Sequence, residues 1–195
     1  MEKIDILSLT PEVLGQHLAE MGEPKFRAKQ LFSWLHQKQV TEFDQMTTLS
    51  LQLRQKLNEK FCINRLNIAR RLASSTDDTV KYLYELPDGN FVETVLMDYH
   101  HGKSLCISTQ VGCRMGCRFC ATGRQGLQHS LSTNEILNQI GSLPERERLT
   151  NVVFMGMGEP LDNTDNVLRA LDILTAEWGF GWSPTRITLS TAGVT

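Results

Sequence analysis

Three cysteines, Cys113, Cys117 and Cys120, stand in the spacing Cys-x3-Cys-x2-Cys. The chain has five cysteines, an odd number, and nothing suggests export, so a disulfide framework is not expected. A tight trio of thiols in a reducing compartment points to metal. Structural zinc usually takes four ligands, often from paired CxxC units, and no fourth Cys or His lies at zinc-finger spacing. His129, nine residues beyond Cys120, is the nearest addition. Three soft thiolates suit a 4Fe-4S cluster that keeps one iron open. A zinc loop or an oxidised-thiol loop is the alternative.

An open iron chelates the amino and carboxylate groups of S-adenosylmethionine, and one electron from the cluster cleaves that cofactor to a 5'-deoxyadenosyl radical; the chemistry is the cofactor's and the protein positions it. Phe119, just before the last cysteine, is expected to shield such a cluster from water. Gly156-Met157-Gly158-Glu159-Pro160 follows an apolar run. Its glycines are expected to let backbone approach a ligand closely, and Glu159 to accept hydrogen bonds from the cofactor's ammonium.

The elements that must carry these residues can be read in outline. Thr10-Pro11 starts a helix with Val13, Leu14, Leu18 and Met21 as its apolar stripe, ended by Gly22. A second helix is expected over Lys25 to Gln37, and a third carries Leu49, Leu53, Leu57 and Phe61 at a spacing of four. Alternation from Val80 to Leu86, the turn Pro87-Asp88-Gly89-Asn90 and the run from Phe91 to Asp98 predict a hairpin. Strands are then expected at Leu105 to Thr109, Asn151 to Met155 and Arg186 to Ser190. Between them, Ser132 and Glu135 form a capping box, and Asn163 caps a helix running through Val167, Leu168, Leu171, Leu174 and Trp178. Strands alternating with helices imply an α/β fold with a parallel sheet, whose functional loops lie at the C-terminal strand ends. The cysteine loop, the glycine loop and Ser190 then share one rim.

Composition narrows the classes further. Hydrophobic residues are 41% and charged residues 22% of 195, ordinary for a soluble globular protein. No apolar run reaches the roughly 18 residues of a membrane span, and Met1 to Thr10 lacks the basic and apolar regions of a secretory leader. The net charge of -2 hides local asymmetry. Arg54, Lys56, Lys60, Arg65, Arg70 and Arg71 face one acid, Glu59, and Tyr99 to Asn134 contains none. That second stretch carries Lys103, Arg114, Arg118 and Arg124 with His100, His101 and His129. Such patches attract phosphate, though solvated helix faces look the same in a sequence.

The chain resembles the radical SAM family of RNA methyltransferases that modify carbon 2 of adenine in 23S rRNA and tRNA, and their relatives that methylate carbon 8. The resemblance rests on Phe26-Arg-Ala-Lys-Gln-Leu-Phe32, Phe91-Val-Glu-Thr-Val95, Leu105 to Cys113, the cysteine trio, Phe154 to Leu161 and Arg186 to Gly193. It implies cluster ligation by Cys113, Cys117 and Cys120, cofactor contacts from Gly158, Glu159 and Ser190, proton acceptance by Glu93, and a late role for Cys106. That role is deprotonation of an adduct or formation of a disulfide that releases product. Taken alone, Glu93 reads as a solvated strand position and Cys106 as a small core residue. The family mechanism uses two S-adenosylmethionine molecules: one methylates a cysteine near the C-terminus, and the other yields the radical that activates that methyl. The target base must leave its stack to be reached. On this resemblance the cluster of basic residues from Arg54 to Arg71 becomes a phosphate-binding candidate.

The resemblance implies an α/β fold: the N-terminal half of a radical SAM (βα)6 partial barrel, preceded by a small helical domain and a β-hairpin. The expected divisions are 1–62, a helical domain of RNA-binding type; 63–102, a β-hairpin linker; and 103–195, the first half of the barrel. A complete barrel of this kind needs roughly 200 residues from Lys103 onward, and 93 are present, so a shortened family member without the methyl-carrying cysteine is expected. Expected partners are 23S rRNA, with tRNA left open, and an electron donor for the cluster. No membrane is expected; a cytoplasmic monomer is. Three alternatives stand beside the carbon 2 enzyme: a non-catalytic iron-sulfur or RNA-binding remnant, the carbon 8 enzyme, and another radical SAM enzyme such as a glycyl-radical activase. The helical domain and Val92-Glu93-Thr94-Val95 argue against the last.

Overall fold

The computed structural model describes residues 3–100 and 102–193; His101, one member of the basic stretch, lies outside the described residues. The chain divides into two compact units, 3–65 with 173–181, and 66–172 with 182–193.

In the first unit, strand β1 (Ile4–Asp5) pairs in parallel with β2 (Phe61–Cys62). Between them lie helices α1 (Pro11–Glu20), α2 (Arg27–Phe32) and α3 (Leu51–Lys60). The hydroxyls of Thr10 and Ser50 accept from the amides of Val13 and Leu53, satisfying donors that a helix start otherwise leaves open. The expected second helix continues past Phe32 as one π turn, Ser33–Gln37. Leu14, Leu18, Leu31, Phe32, Leu53 and Leu57 form a dry core. Val13, expected in the apolar stripe, is exposed. The segment 173–181 belongs to this unit and sets Trp178 edge-on against Phe32, with ring centroids 4.9 Å apart.

The second unit is α/β. Its six-stranded sheet comprises β3 (Asn67–Ala73), β4 (Val80–Glu85), β5 (Phe91–Tyr99), β6 (Gly102–Cys106), β9 (Leu149–Phe154) and β10 (Ile187–Leu189). The order is β10-β9-β6-β5-β4-β3. From β3 to β6 the pairs are antiparallel, whereas β6, β9 and β10 are parallel. The expected hairpin is therefore the middle of a larger meander that continues directly into the parallel strands. Strand β3 has no sequence signature: every residue is exposed, so neither face imposes an alternation. A short antiparallel pair, β7 (Gln110–Val111) with β8 (His129–Ser130), closes the base of the cysteine loop, in which α4 (Ala121–Gln125) follows Cys120.

Helix α5 (Thr133–Gly141) begins at the expected capping box: the Ser132 hydroxyl accepts from the Glu135 amide, and the Glu135 carboxylate accepts from the Ser132 amide. Helix α6 (Thr164–Thr175) stops short of Trp178. Asn163 uses its side chain on the strand-end loops, donating from Nδ2 to the carbonyls of Thr109 (2.9 Å) and Leu131 (2.7 Å) and accepting at Oδ1 from Asn166. One face of the sheet is dry, with Tyr82, Tyr84, Val92, Leu96, Leu105 and Val152 buried. The opposite face of the same strands carries Lys81, Leu83, Glu93, Val95, Cys106 and Val153, all partly open. No helix among the described residues is long and apolar enough to cross a membrane.

Candidate active site on the open sheet face and its rim

Register decides which chemistry-bearing residues meet. Val95 pairs with Cys106, and Cys106 with Val153. Side chains alternate along a strand, so Glu93, two residues before Val95, shares the open face with Cys106. The Glu93 carboxylate is held by the Lys81 ammonium at 3.2 Å and 3.3 Å. Burial pushes the Cys106 thiol above its ordinary range, with a hydrogen bond from the Met155 amide opposing. Cys106 is therefore a protonated thiol at neutral pH. The disulfide implied for it is not formed, since all five cysteines are free. A core-facing Cys106, the reading the residue alone invited, is excluded by the register.

At the C-terminal strand ends the rim loops are tied to one another. The amides of Thr109 (2.8 Å) and Gln110 (3.2 Å) donate to the Met157 carbonyl, and the Gly156 amide donates to Ile107 (3.0 Å). Gly158 has φ +98°, and a Cβ there would lie 2.7 Å from the Gln110 nitrogen. Close packing on the strand beside it thus already requires glycine at this position. Gln110 ties the rim further: its Oε1 accepts from the Glu159 amide and its Nε2 donates to Asp162, whose carboxylate also meets Arg114 at 2.8 Å.

Glu159 is buried and engaged. Its carboxylate accepts from the Leu161 amide (3.0 Å), the Thr191 hydroxyl (2.5 Å) and the Ala192 amide (2.8 Å). Burial alone would raise its pKa; the hydrogen bonds from Ala192 and Thr191 outweigh that and hold the carboxyl below the usual range. Two of these three donors come from the strand-end loop that follows Ser190. Ser190 itself is exposed, its amide on the Phe154 carbonyl.

The cysteine loop starts at Gly112, where φ is +75° and a Cβ would fall 1.7 Å from the Gly126 carbonyl oxygen. Cys113 is buried, and Cys117 and Cys120 are half-buried. Amides at the start of α4, Gly123 foremost, lower the Cys120 thiol pKa. Three thiols on a loop without acids, one of them with a lowered pKa, fit an iron-sulfur cluster in donor chemistry. Their sulfurs are not gathered: among the described residues no three His, Cys, Asp or Glu side chains converge as a metal site. Phe119, expected to cover the cluster, is 91% exposed and covers none of the thiols.

The basic stretches look different in three dimensions. Arg54 donates to the Asp44 carbonyl, Lys56 to that of Met21, and Arg65 to those of Leu35 and Val40, while Lys60 pairs with Glu20 and Arg71 with Glu145. Each of these five cations has a protein partner, while Lys60 and Arg71 stay partly open to solvent and Arg70 is exposed. In the acid-free stretch, Lys103 pairs with Asp98, Arg114 with Asp162, and His129 with Glu135 and Asp88, acids that folding brings in from outside it. The residues sequence reading missed are amides and hydroxyls: Ser108, Gln110 and Gln139. Their types carry no signal until partners distant in sequence are known.

A parallel strand-helix-strand core with a cysteine loop after its first strand defines a domain of the radical SAM class, and residues 107–195 match the model of the Radical SAM superfamily. Residues 4–63 match that of the ribosomal RNA large subunit methyltransferase N-terminal domain. A probable dual-specificity RNA methyltransferase RlmN of Bacteroides fragilis is 51% identical over 194 residues, 100% of this chain and 56% of that protein. Its counterpart in Phocaeicola vulgatus is 50% identical over 98% of this chain and 55% of its own length. The crystal structure of a radical SAM methyltransferase from Sphaerobacter thermophilus superposes with a TM-score of 0.89 at 38% identity, covering 98% of this chain and 57% of that one. The chain belongs to the radical SAM RNA methyltransferase family. It spans about half the length of the curated relatives it matches, 56% of the Bacteroides fragilis protein.

Proposed function

We propose that these residues form part of an enzyme that methylates carbon 2 of adenine in 23S rRNA, with tRNA as a further substrate to be tested, in the cytoplasm and as a monomer. The observation that carries the reading is the register that puts Glu93 and Cys106 on one open sheet face, below a rim bearing the cysteine and glycine loops. Cys113, Cys117 and Cys120 would hold a 4Fe-4S cluster, and Gly158, Glu159 and Ser190 would frame S-adenosylmethionine. When bound and reduced by a one-electron donor, this pair supplies radical chemistry at a ring carbon too weakly nucleophilic for direct methyl displacement. Two molecules of the cofactor serve each turnover, one as methyl source.

The chain's own contribution is positional and acid-base. Glu93, beside Lys81, accepts the proton that the substituted carbon must lose. Cys106, kept as a thiol by burial, is unsuited to that proton and serves in release of the product. The flipped adenine would lie on the open face, within reach of both.

The test is anaerobic reconstitution with iron and sulfide. A protein absorbing near 400 nm that cleaves S-adenosylmethionine to methionine and 5'-deoxyadenosine supports the reading; a colourless protein holding stoichiometric zinc overturns it. The product of the open reading frame encoding these residues is then given unmodified 23S rRNA. Formation of 2-methyladenine is expected, and 8-methyladenine would assign the sister chemistry.

A further inference from the structure

We propose that Ser108 is a positioning residue that locks the glycine loop to the strand carrying Glu93, so that cofactor and proton acceptor are held in one frame. The inference rests on the cofactor reading above. Ser108 lies just past the end of β6 and is fully buried. Its hydroxyl accepts from the Met157 amide at 2.9 Å and donates to the Glu93 carbonyl at 2.6 Å. One oxygen therefore joins the loop that precedes Glu159 to the backbone of the residue assigned the proton. Glu93 meets the same loop a second time, its amide pointing at the Met157 sulfur at 3.4 Å.

Ser108 is itself clamped. The Gln139 side chain accepts from the Ser108 amide at 2.7 Å and donates to the Ser108 carbonyl at 2.8 Å. Its two remaining positions go to the Thr94 hydroxyl (3.0 Å) and the Glu135 carbonyl (3.3 Å), so the amide uses all four of its hydrogen-bonding positions. A buried, fully satisfied network of this kind has one arrangement, because any partial alternative leaves a polar group unpaired. By contrast the half-exposed Lys81–Glu93 pair is a weak constraint, screened by solvent. The rigid element beside Glu93 is Ser108.

The test compares the wild-type chain with Ser108→Ala and Ser108→Thr, the second keeping the hydroxyl. Amide hydrogen exchange at Met157 is read first, with no cofactor present, and the affinity for S-adenosylmethionine is read after cluster reconstitution. Ser108→Ala is expected to expose the Met157 amide to exchange and to weaken the cofactor about tenfold, with Ser108→Thr closer to wild type in both. Unchanged Met157 protection in Ser108→Ala overturns the proposal. So does lost protection with unchanged affinity, which would make the hydroxyl merely structural. Wild-type protein that binds no S-adenosylmethionine overturns the cofactor reading and this inference with it, and is told apart because the exchange measurement does not depend on cofactor.

Discussion

Glu93 and Cys106 occupy the same face of the sheet because Val95, two residues beyond Glu93, pairs directly with Cys106 across β5 and β6. The acid is half-open beside Lys81, and the thiol is held protonated by burial. Under the proposed function this carboxyl and this thiol take separate tasks, proton acceptance and product release. Glu93→Gln is therefore expected to lower methyl transfer about 10²–10⁴-fold while cofactor cleavage continues at the wild-type rate. Both are measured on the product of the open reading frame, and equal loss of the two activities would refute the assignment.

Cysteine replacement separates ligands from the face thiol. Cys113→Ala, Cys117→Ala and Cys120→Ala are each expected to lose most bound iron after reconstitution, whereas Cys106→Ala keeps it. Iron and sulfide analysis with the absorbance near 400 nm decides. A Cys106→Ala protein as colourless as the other three would contradict the placement of Cys106 away from the loop.

Gly112 anchors the cysteine loop where a Cβ would fall 1.7 Å from the Gly126 carbonyl oxygen. Gly112→Ala must open the β7–β8 base of the loop, at a cost of about 1–3 kcal/mol from overpacking and positive-φ strain. The expected outcome is a lower melting temperature together with reduced iron uptake. Iron uptake equal to wild type would show that loop closure is not required for ligation.

Glu159 links the glycine loop to the strand end after Ser190. Its folded pKa is depressed, so its contribution is present above the unfolded value, near 4.5, and is lost as pH falls through the lower folded value. Glu159→Gln removes a charged acceptor from the Thr191 hydroxyl and Ala192 amide, and about 1–3 kcal/mol of stability at pH 7 is expected to go with it. Chemical denaturation measures this. A Glu159→Gln protein as stable as wild type at pH 7 would mean these hydrogen bonds contribute nothing net.

His36 is buried between Phe32, with ring centroids 5.2 Å apart, and Phe180 at 5.6 Å. Burial first, and the charge of Arg65 second, push its pKa from 6.5 down to about 3. The native state holds a neutral ring while the unfolded chain takes a proton. Its stabilising effect is complete above pH 6.5 and declines as pH falls toward 3. The loss attributable to this ring is about 2 kcal/mol between pH 7 and pH 5, and His36→Phe should remove it. Identical pH dependence of the two proteins in urea denaturation would exclude His36 as the cause.

Local chemistry was legible in the linear sequence because it depends on neighbours a few residues apart. Thr10, Ser50 and the Ser132–Glu135 box cap helices through the next three residues, and the alternation of Val80, Tyr82 and Tyr84 marks a strand with one dry face. The spacing of Cys113, Cys117 and Cys120, on which the proposed metal loop rests, is likewise a short-range signal. Only the tertiary structure decided which face Cys106 occupies, since that depends on register with β5 and a slip of one residue reverses it. It also gave Arg54, Lys56, Lys60, Arg65 and Arg71 protein partners that the sequence does not announce, and made Glu159 a tie to Thr191 and Ala192. In each case the partner lies far away in the chain. Ser108 and Gln139 make the same point: as residue types they signal nothing, and at 2.7–2.8 Å across 31 residues of sequence they fix the geometry of the rim.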